Sequence, residues 1–102
     1  MNNSDFDINA SSMPVYEMAE FFKLMGDSTR IKIMLVLEQG KLCVNDISKK
    51  LNMTKSAVSH QLKLLRSSKL VISEKSGKNV YYSLCDHHIK TVLDMAKEHV
   101  VE

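Results

Sequence analysis

Four residues near the C-terminal end carry metal-donor atoms at a telling spacing: Asp86, His88, His99 and Glu102. They read Asp-x-His, ten intervening residues, then His-x-x-Glu. On a helix, His88 and His99 are separated by about three full turns, so they share one azimuth but stand about 16 Å apart along the axis. One chain cannot bring both to a single ion held by bonds of about 2 Å. Two antiparallel copies of the helix can. With a two-fold axis near Leu93 and Asp94, His88 of one chain lies beside the partner's His99, and Asp86 lies opposite the partner's Glu102. The homodimer then holds two symmetric sites, each with two imidazoles and two carboxylates, a donor set that suits Zn(II). Co(II) or another borderline divalent ion fits similarly. Ile89, Val92, Leu93, Ala96 and Val100 share one stripe of the same helix and are expected to form the dry centre of the dimer contact. His87 is expected to point away, into solvent.

A second set of residues fits nucleic-acid chemistry. The net charge of +2 conceals an uneven distribution. Residues 41–78 hold nine Lys and Arg against Asp46 and Glu74, whereas residues 1–40 and 79–102 are each net acidic. A basic middle between acidic ends marks one face for a polyanion. Within that middle, a short helix over about Val44–Leu51, a turn at Asn52-Met53-Thr54 and a longer helix to about Ser67 have helix-turn-helix spacing. With Val58, Leu62 and Leu65 facing inward, the outer face presents Lys55, Ser56, Ser59, His60 and Lys63, with Gln61 beside them. Ser56, Ser59, His60 and Gln61 suit base edges, and Lys55 and Lys63 suit phosphates. The run Leu70-Val71-Ile72-Ser73, a basic turn over 75–79, and Val80-Tyr81-Tyr82-Ser83 predict a β-hairpin whose Lys75 and Lys78 would reach the DNA backbone or minor groove.

The remaining elements position these two sets. Residues 1–11 read as a mobile tail, and residues 12–102 as one domain. Ser12 is placed to cap a first helix that has Pro14 early and Gly26 as a left-handed C-terminal residue. Its apolar set, Val15, Met18, Ala19, Phe21, Phe22, Leu24 and Met25, is too broad for one stripe and implies burial on two sides. Asp27 caps a second helix to about Glu38, with Ile31, Met34 and Leu35 inward. A last helix runs from about His87 to Val101 behind an Asp86 cap. The expected architecture is mainly α with one hairpin, in the order α-α-α-α-β-β-α. At 102 residues, with 44% apolar and 25% charged residues, the chain is a single ordinary domain. It has no apolar run of membrane-spanning length, and its polar, acidic start is no secretory signal. These features point to a cytoplasmic protein.

Four segments carry a resemblance to a known family: Met25-Gly26-Asp27-Ser28-Thr29-Arg30, Lys41-Leu42-Cys43-Val44-Asn45-Asp46-Ile47, Ser59-His60-Gln61-Leu62-Lys63-Leu64-Leu65 and Val80-Tyr81-Tyr82-Ser83-Leu84. Over residues 13–102 the chain resembles the ArsR/SmtB family of winged helix-turn-helix, metal-responsive bacterial repressors. The resemblance implies a homodimer that binds near-palindromic double-stranded operator DNA without metal and releases it when metal binds. The set Asp86, His88, His99 and Glu102 is similar to the interhelical zinc site of the zinc-sensing branch. Other branches use two Cys separated by one residue on the third helix. Here Cys43 holds the first position and Asn45 the second, a departure from the soft-metal pattern. Cys43 is expected to be a small buried hydrophobe.

Two further readings stand beside this one. A Cys43–Cys85 redox pair would make a thiol- or sulfide-responsive repressor on the same scaffold. A constitutive DNA-binding dimer with a purely structural metal is the other. Enzyme chemistry is disfavoured: there is no His-Glu-x-x-His motif and no phosphate-cradling Gly loop, and four protein ligands leave a zinc ion no open position.

Overall fold

The computed structural model describes residues 7–9 and 13–102. The expected Ser12 cap and most of the expected tail lie outside them. The elements are α1 (Val15–Met25), α2 (Ser28–Leu37), β1 (Leu42–Cys43), α3 (Val44–Leu51), α4 (Lys55–Ser67), β2 (Val71–Ser76), β3 (Asn79–Leu84) and α5 (His87–Val101). None of the described helices is long and apolar enough to cross a membrane.

Local chemistry explains most boundaries. Asp27 caps α2 by accepting from Arg30 N at 3.0 Å, and Arg30 Nε donates to Leu24 O at 2.8 Å, which ties the end of α1 to the start of α2. Pro14 sits at the N-cap of α1 rather than inside its first turn. Gly26 has φ −83°, so the expected left-handed residue is absent. A Cβ there would stand 3.1 Å from Phe22 O, so Gly26 serves a close backbone approach instead. Asn52 supplies a left-handed turn after α3 (φ 53°), the Ser48 hydroxyl donates to Met53 O, and Thr54 caps α4 by accepting from Ala57 N at 3.0 Å. Asp86 caps α5, its Oδ1 accepting from His88 N at 2.9 Å and Ile89 N at 3.4 Å.

The sheet differs from the expected hairpin in two ways. Leu42 and Cys43 form an extra strand, giving the order β1-β3-β2 with Leu42 opposite Tyr82 and Cys43 opposite Tyr81. Two residues carry too little periodicity to be read in advance; pairing with β3 creates the strand. The hairpin turn is also shorter than expected. Ser76 pairs with Asn79, leaving Gly77 (φ 63°) and Lys78 as the turn. Lys75 therefore lies within β2, opposite Val80.

The core combines Ile33, Met34 and Leu37 of α2, Ile47 of α3, Val58, Leu62 and Leu65 of α4, Leu70 and Val71, and Ile89 and Leu93 of α5. The inward face of α4 matches expectation. The inward face of α2 does not: Ile31 and Leu35 are only partly buried, and Ile33 and Leu37 take the core positions with Met34. Helix α2 is apolar on two flanks, so its spacing alone does not decide which one faces inward.

Candidate functional site

Helix α4 follows α3 across the Asn52 turn and is held by its three buried residues. That packing turns Lys55, Ser56, Ser59, His60 and Lys63 to solvent. Gln61 does not share that face. It is half-buried at the edge of the inward arc, about 40° beyond Leu65, and its Oε1 is enclosed without a hydrogen-bond partner. Helical geometry gives the reason: Gln61 stands i+3 from Val58 and i−4 from Leu65, on the packed side.

The sequence reading missed two neighbours of this face. Arg66 and Tyr82 join Ser59, Lys63 and Ser67 in lining a cleft of about 580 Å³ between α4 and the sheet. Arg66 was findable as the i+7 partner of Ser59 and i+3 partner of Lys63. Tyr82 needed the strand register. In the wing, Lys75 and Lys78 are exposed. Lys41 lies 5.9 Å over the Tyr81 ring on the other side of the sheet.

The four expected metal donors fall into two half-sites at opposite ends of α5. At its start, His88 Nδ1 lies 3.4 Å from Asp86 Oδ1, with both side chains exposed. Burial pushes the Asp86 carboxyl up, but hydrogen bonds from the His88 side chain and from the His88 and Ile89 amides outweigh it, so it stays below its usual 3.8. Because Oδ1 takes both cap bonds, Oδ2 remains available to a ligand. His87 is exposed to solvent as expected, but its ring does not point away from this end: it lies beside the His88 ring, tilted by 36°, with 4.1 Å between centroids. At the other end His99 and Glu102 are exposed. Among the described residues of one protomer, no three His, Cys, Asp or Glu come together as a metal cluster.

The stripe expected at a dimer centre is divided. Ile89 and Leu93 are each 5% exposed, committed to the protomer's own core. At 100° per residue, the free face beside them carries His88, Val92, Met95 and His99. Met95 is 62% exposed. Val100 and Val101 are also bare, as are Tyr16 and Phe22 of α1. Phe22, Ile31, Leu35, Val92, Ala96 and Val100 border an apolar groove of about 480 Å³. On the far flank Lys90 binds Asp94 at 2.7 Å and approaches Glu38 at 3.7 Å.

The cysteines do not form a pair within one protomer. Cys43 lies opposite Tyr81, and Cys85 is four residues further along the chain from Tyr81. That is about 13 Å of extended strand, whereas a disulfide needs Cα atoms within about 7 Å. Cys43 is half-buried rather than a core residue. It stands at the N-cap of α3, where its thiol donates to Asp46 Oδ2 at 3.2 Å.

Comparison with known proteins agrees with this geometry. Residues 27–73 match the bacterial regulatory protein arsR family. The chain is 42% identical over 86 residues to a transcriptional repressor SmtB homolog of Synechocystis, covering 84% of this chain and 65% of that protein. It is 39% identical over 84 residues to a cadmium resistance transcriptional regulatory protein CadC homolog of Staphylococcus aureus, covering 81% and 69%. These relatives are regulators, not enzymes. The solution structure of the homodimeric winged helix-turn-helix DNA-binding domain of a possible ArsR-family regulator from Mycobacterium bovis superposes with a TM-score of 0.84 at 21% identity, over 95% of this chain and 90% of that one. The fold is thus a winged helix-turn-helix, with α3 and α4 as the two helices of the motif and β2–β3 as the wing. The chain belongs to the ArsR/SmtB family of bacterial transcriptional regulators.

Proposed function

We propose that the protein is a metal-responsive repressor, a homodimer that binds near-palindromic operator DNA when metal-free and releases it when Zn(II) binds between the two α5 helices. The observation that carries this reading is the pair of half-sites, Asp86/His88 and His99/Glu102, at opposite ends of one exposed face of α5. Neither half suffices alone, and an antiparallel partner completes both. In that pairing His88 meets the partner's His99, and Val92 meets the partner's Met95. Bare apolar residues on α1 and α5 support such a contact, as does the homodimeric state named for the Mycobacterium bovis relative. Two nitrogens and two oxygens favour Zn(II) or Co(II) over soft ions, and Asn45 in place of a second thiol on α3 points the same way.

A bound ion would neutralise the carboxylates and cross-link the ends of the two α5 helices. Glu102 is the C-cap of α5, where a carboxylate opposes the helix dipole until its charge is compensated. The chain holds α5 against the core through Ile89 and Leu93, so a shift of α5 moves the domain that carries α4. DNA favours the dimer geometry that sets both α4 helices in successive major grooves, and metal favours another. By linkage each weakens the other by the same factor, about 1–3 kcal/mol in allosteric systems. His99→Ala tests the assignment: the variant keeps DNA affinity and loses zinc-induced release. Full release by zinc in that variant would defeat it.

A further inference from the structure

We propose that the cleft between α4 and the wing seats one phosphodiester of the DNA backbone, gripped by Arg66 and Lys63 above the Tyr82 ring. This rests on the DNA-binding reading above. Ser59, Lys63 and Arg66 follow one another at i, i+4 and i+7 along one flank of α4, and Tyr82 forms the facing wall. Among the described residues no acidic one lines the cleft. Among the described residues neither Lys63 nor Arg66 has a carboxylate within ion-pair distance. Two uncompensated cations on one wall call for an anion, and the guanidinium fork matches two oxygens of a phosphate. The hydroxyls divide the remaining work. Ser67 Oγ already donates to Leu64 O at 3.1 Å, whereas those of Ser59 and Tyr82 make no hydrogen bond within the described chain and are free to donate. Tyr82 is fixed in the central strand, paired with Leu42 on one side and Ser73 on the other.

The position favours a backbone phosphate over a free ion. Alternate residues share a sheet face, so Lys75, opposite Val80, lies on the same face as Tyr82 and Ser73, and Glu74 lies on the other. A basic track therefore runs from α4 through the cleft to Lys75 and on to Lys78 at the wing tip, unbroken by an acid. Its start adjoins the Ser59 and His60 face that reads bases.

The test is fluorescence anisotropy of the full-length protein on its own promoter DNA and on an unrelated duplex, across a salt series. Arg66→Gln is expected to lower the slope of log affinity against log salt by about 0.9 per protomer. For a dimer this means about tenfold less affinity lost than wild type between roughly 50 and 200 mM salt. The loss at low salt should be the same on both duplexes, because a phosphate contact carries no sequence information. Tyr82→Phe should weaken both duplexes equally with the slope unchanged, and Lys32→Gln, on exposed α2 surface, should change neither. Single neutral methylphosphonate linkages give a second readout: one position per half-site that weakens wild type should cost Arg66→Gln clearly less, the remainder coming from Lys63. An unchanged slope with a loss confined to promoter DNA would overturn the proposal in favour of a base contact. Unchanged DNA binding, with loss only of inorganic phosphate binding, would assign the cleft to a free ion and overturn it too. If the wild type shows no salt-dependent DNA binding, the functional reading itself fails, and that result is distinct from either.

Discussion

Mixing two inactive variants should rebuild a metal site. His88 and His99 lie about 16 Å apart along α5 at a 1.5 Å rise per residue, so no ion bound by one reaches the other in the same chain. His88→Ala and His99→Ala homodimers each lack one imidazole in both sites. A mixed dimer concentrates the damage: one site retains both imidazoles and the other loses both. Random exchange makes half the dimers mixed, so an equimolar pool should hold about 0.5 tight sites per dimer, against two for wild type and none for either parent. Both histidines are exposed, so neither substitution opens a core cavity. Coexpressed, differently tagged chains isolate the mixed dimer and should raise the value to about one. Calorimetric titration with Zn(II) measures the stoichiometry, and the visible spectrum of Co(II) reports whether the rebuilt site is tetrahedral. A mixed dimer with no more tight metal than its parents would refute ligand sharing across the two-fold axis.

Met95→Lys should break the dimer while leaving the protomer folded. Met95 is 62% exposed in the protomer, and burying that fraction of a Met contributes about 1–2 kcal/mol per chain, so the dimer Kd should rise at least about 30-fold by sedimentation. Thr54→Ala removes the acceptor for Ala57 N and should cost about 1 kcal/mol in urea unfolding, with weaker DNA binding from a frayed α4. The hydrogen bond from Lys90 holds the Asp94 carboxyl below 3.8, and the charges of Lys90 and Lys97 add to it. Its contribution to stability is therefore fully present above pH 3.8 and fades as pH falls through the lowered value. Lys90→Gln should be less stable than wild type at neutral pH, and the two urea curves should converge in acid.

How much of this was legible in the sequence depended on the kind of signal. Elements fixed by local chemistry were readable. The Asp27, Thr54 and Asp86 caps and the inward spacing of Val58, Leu62 and Leu65 placed α2, α4 and α5 closely. Features that exist only through tertiary contact were not. The strand Leu42–Cys43 is made by its pairing with β3, and the register that separates Cys43 from Cys85 is a property of that pairing. On α5 the apolar pattern was visible, but it served two purposes. Ile89 and Leu93 fill the protomer's core while Met95 and Val100 stay bare, and spacing alone cannot divide a broad apolar arc between a core and a partner. Gln61 shows the same limit on α4: a residue at the edge of a helix face is assigned by what packs beside it.

The central claim is that metal and DNA oppose each other through α5. It is tested most directly by anisotropy of the reduced wild-type protein on its own promoter DNA, titrated with Zn(II) and then with excess chelator. The account predicts loss of binding as zinc fills two sites per dimer and full recovery when the chelator removes it. DNA affinity unchanged by zinc, with both sites shown by calorimetry to be filled, would contradict it and leave the metal a purely structural role.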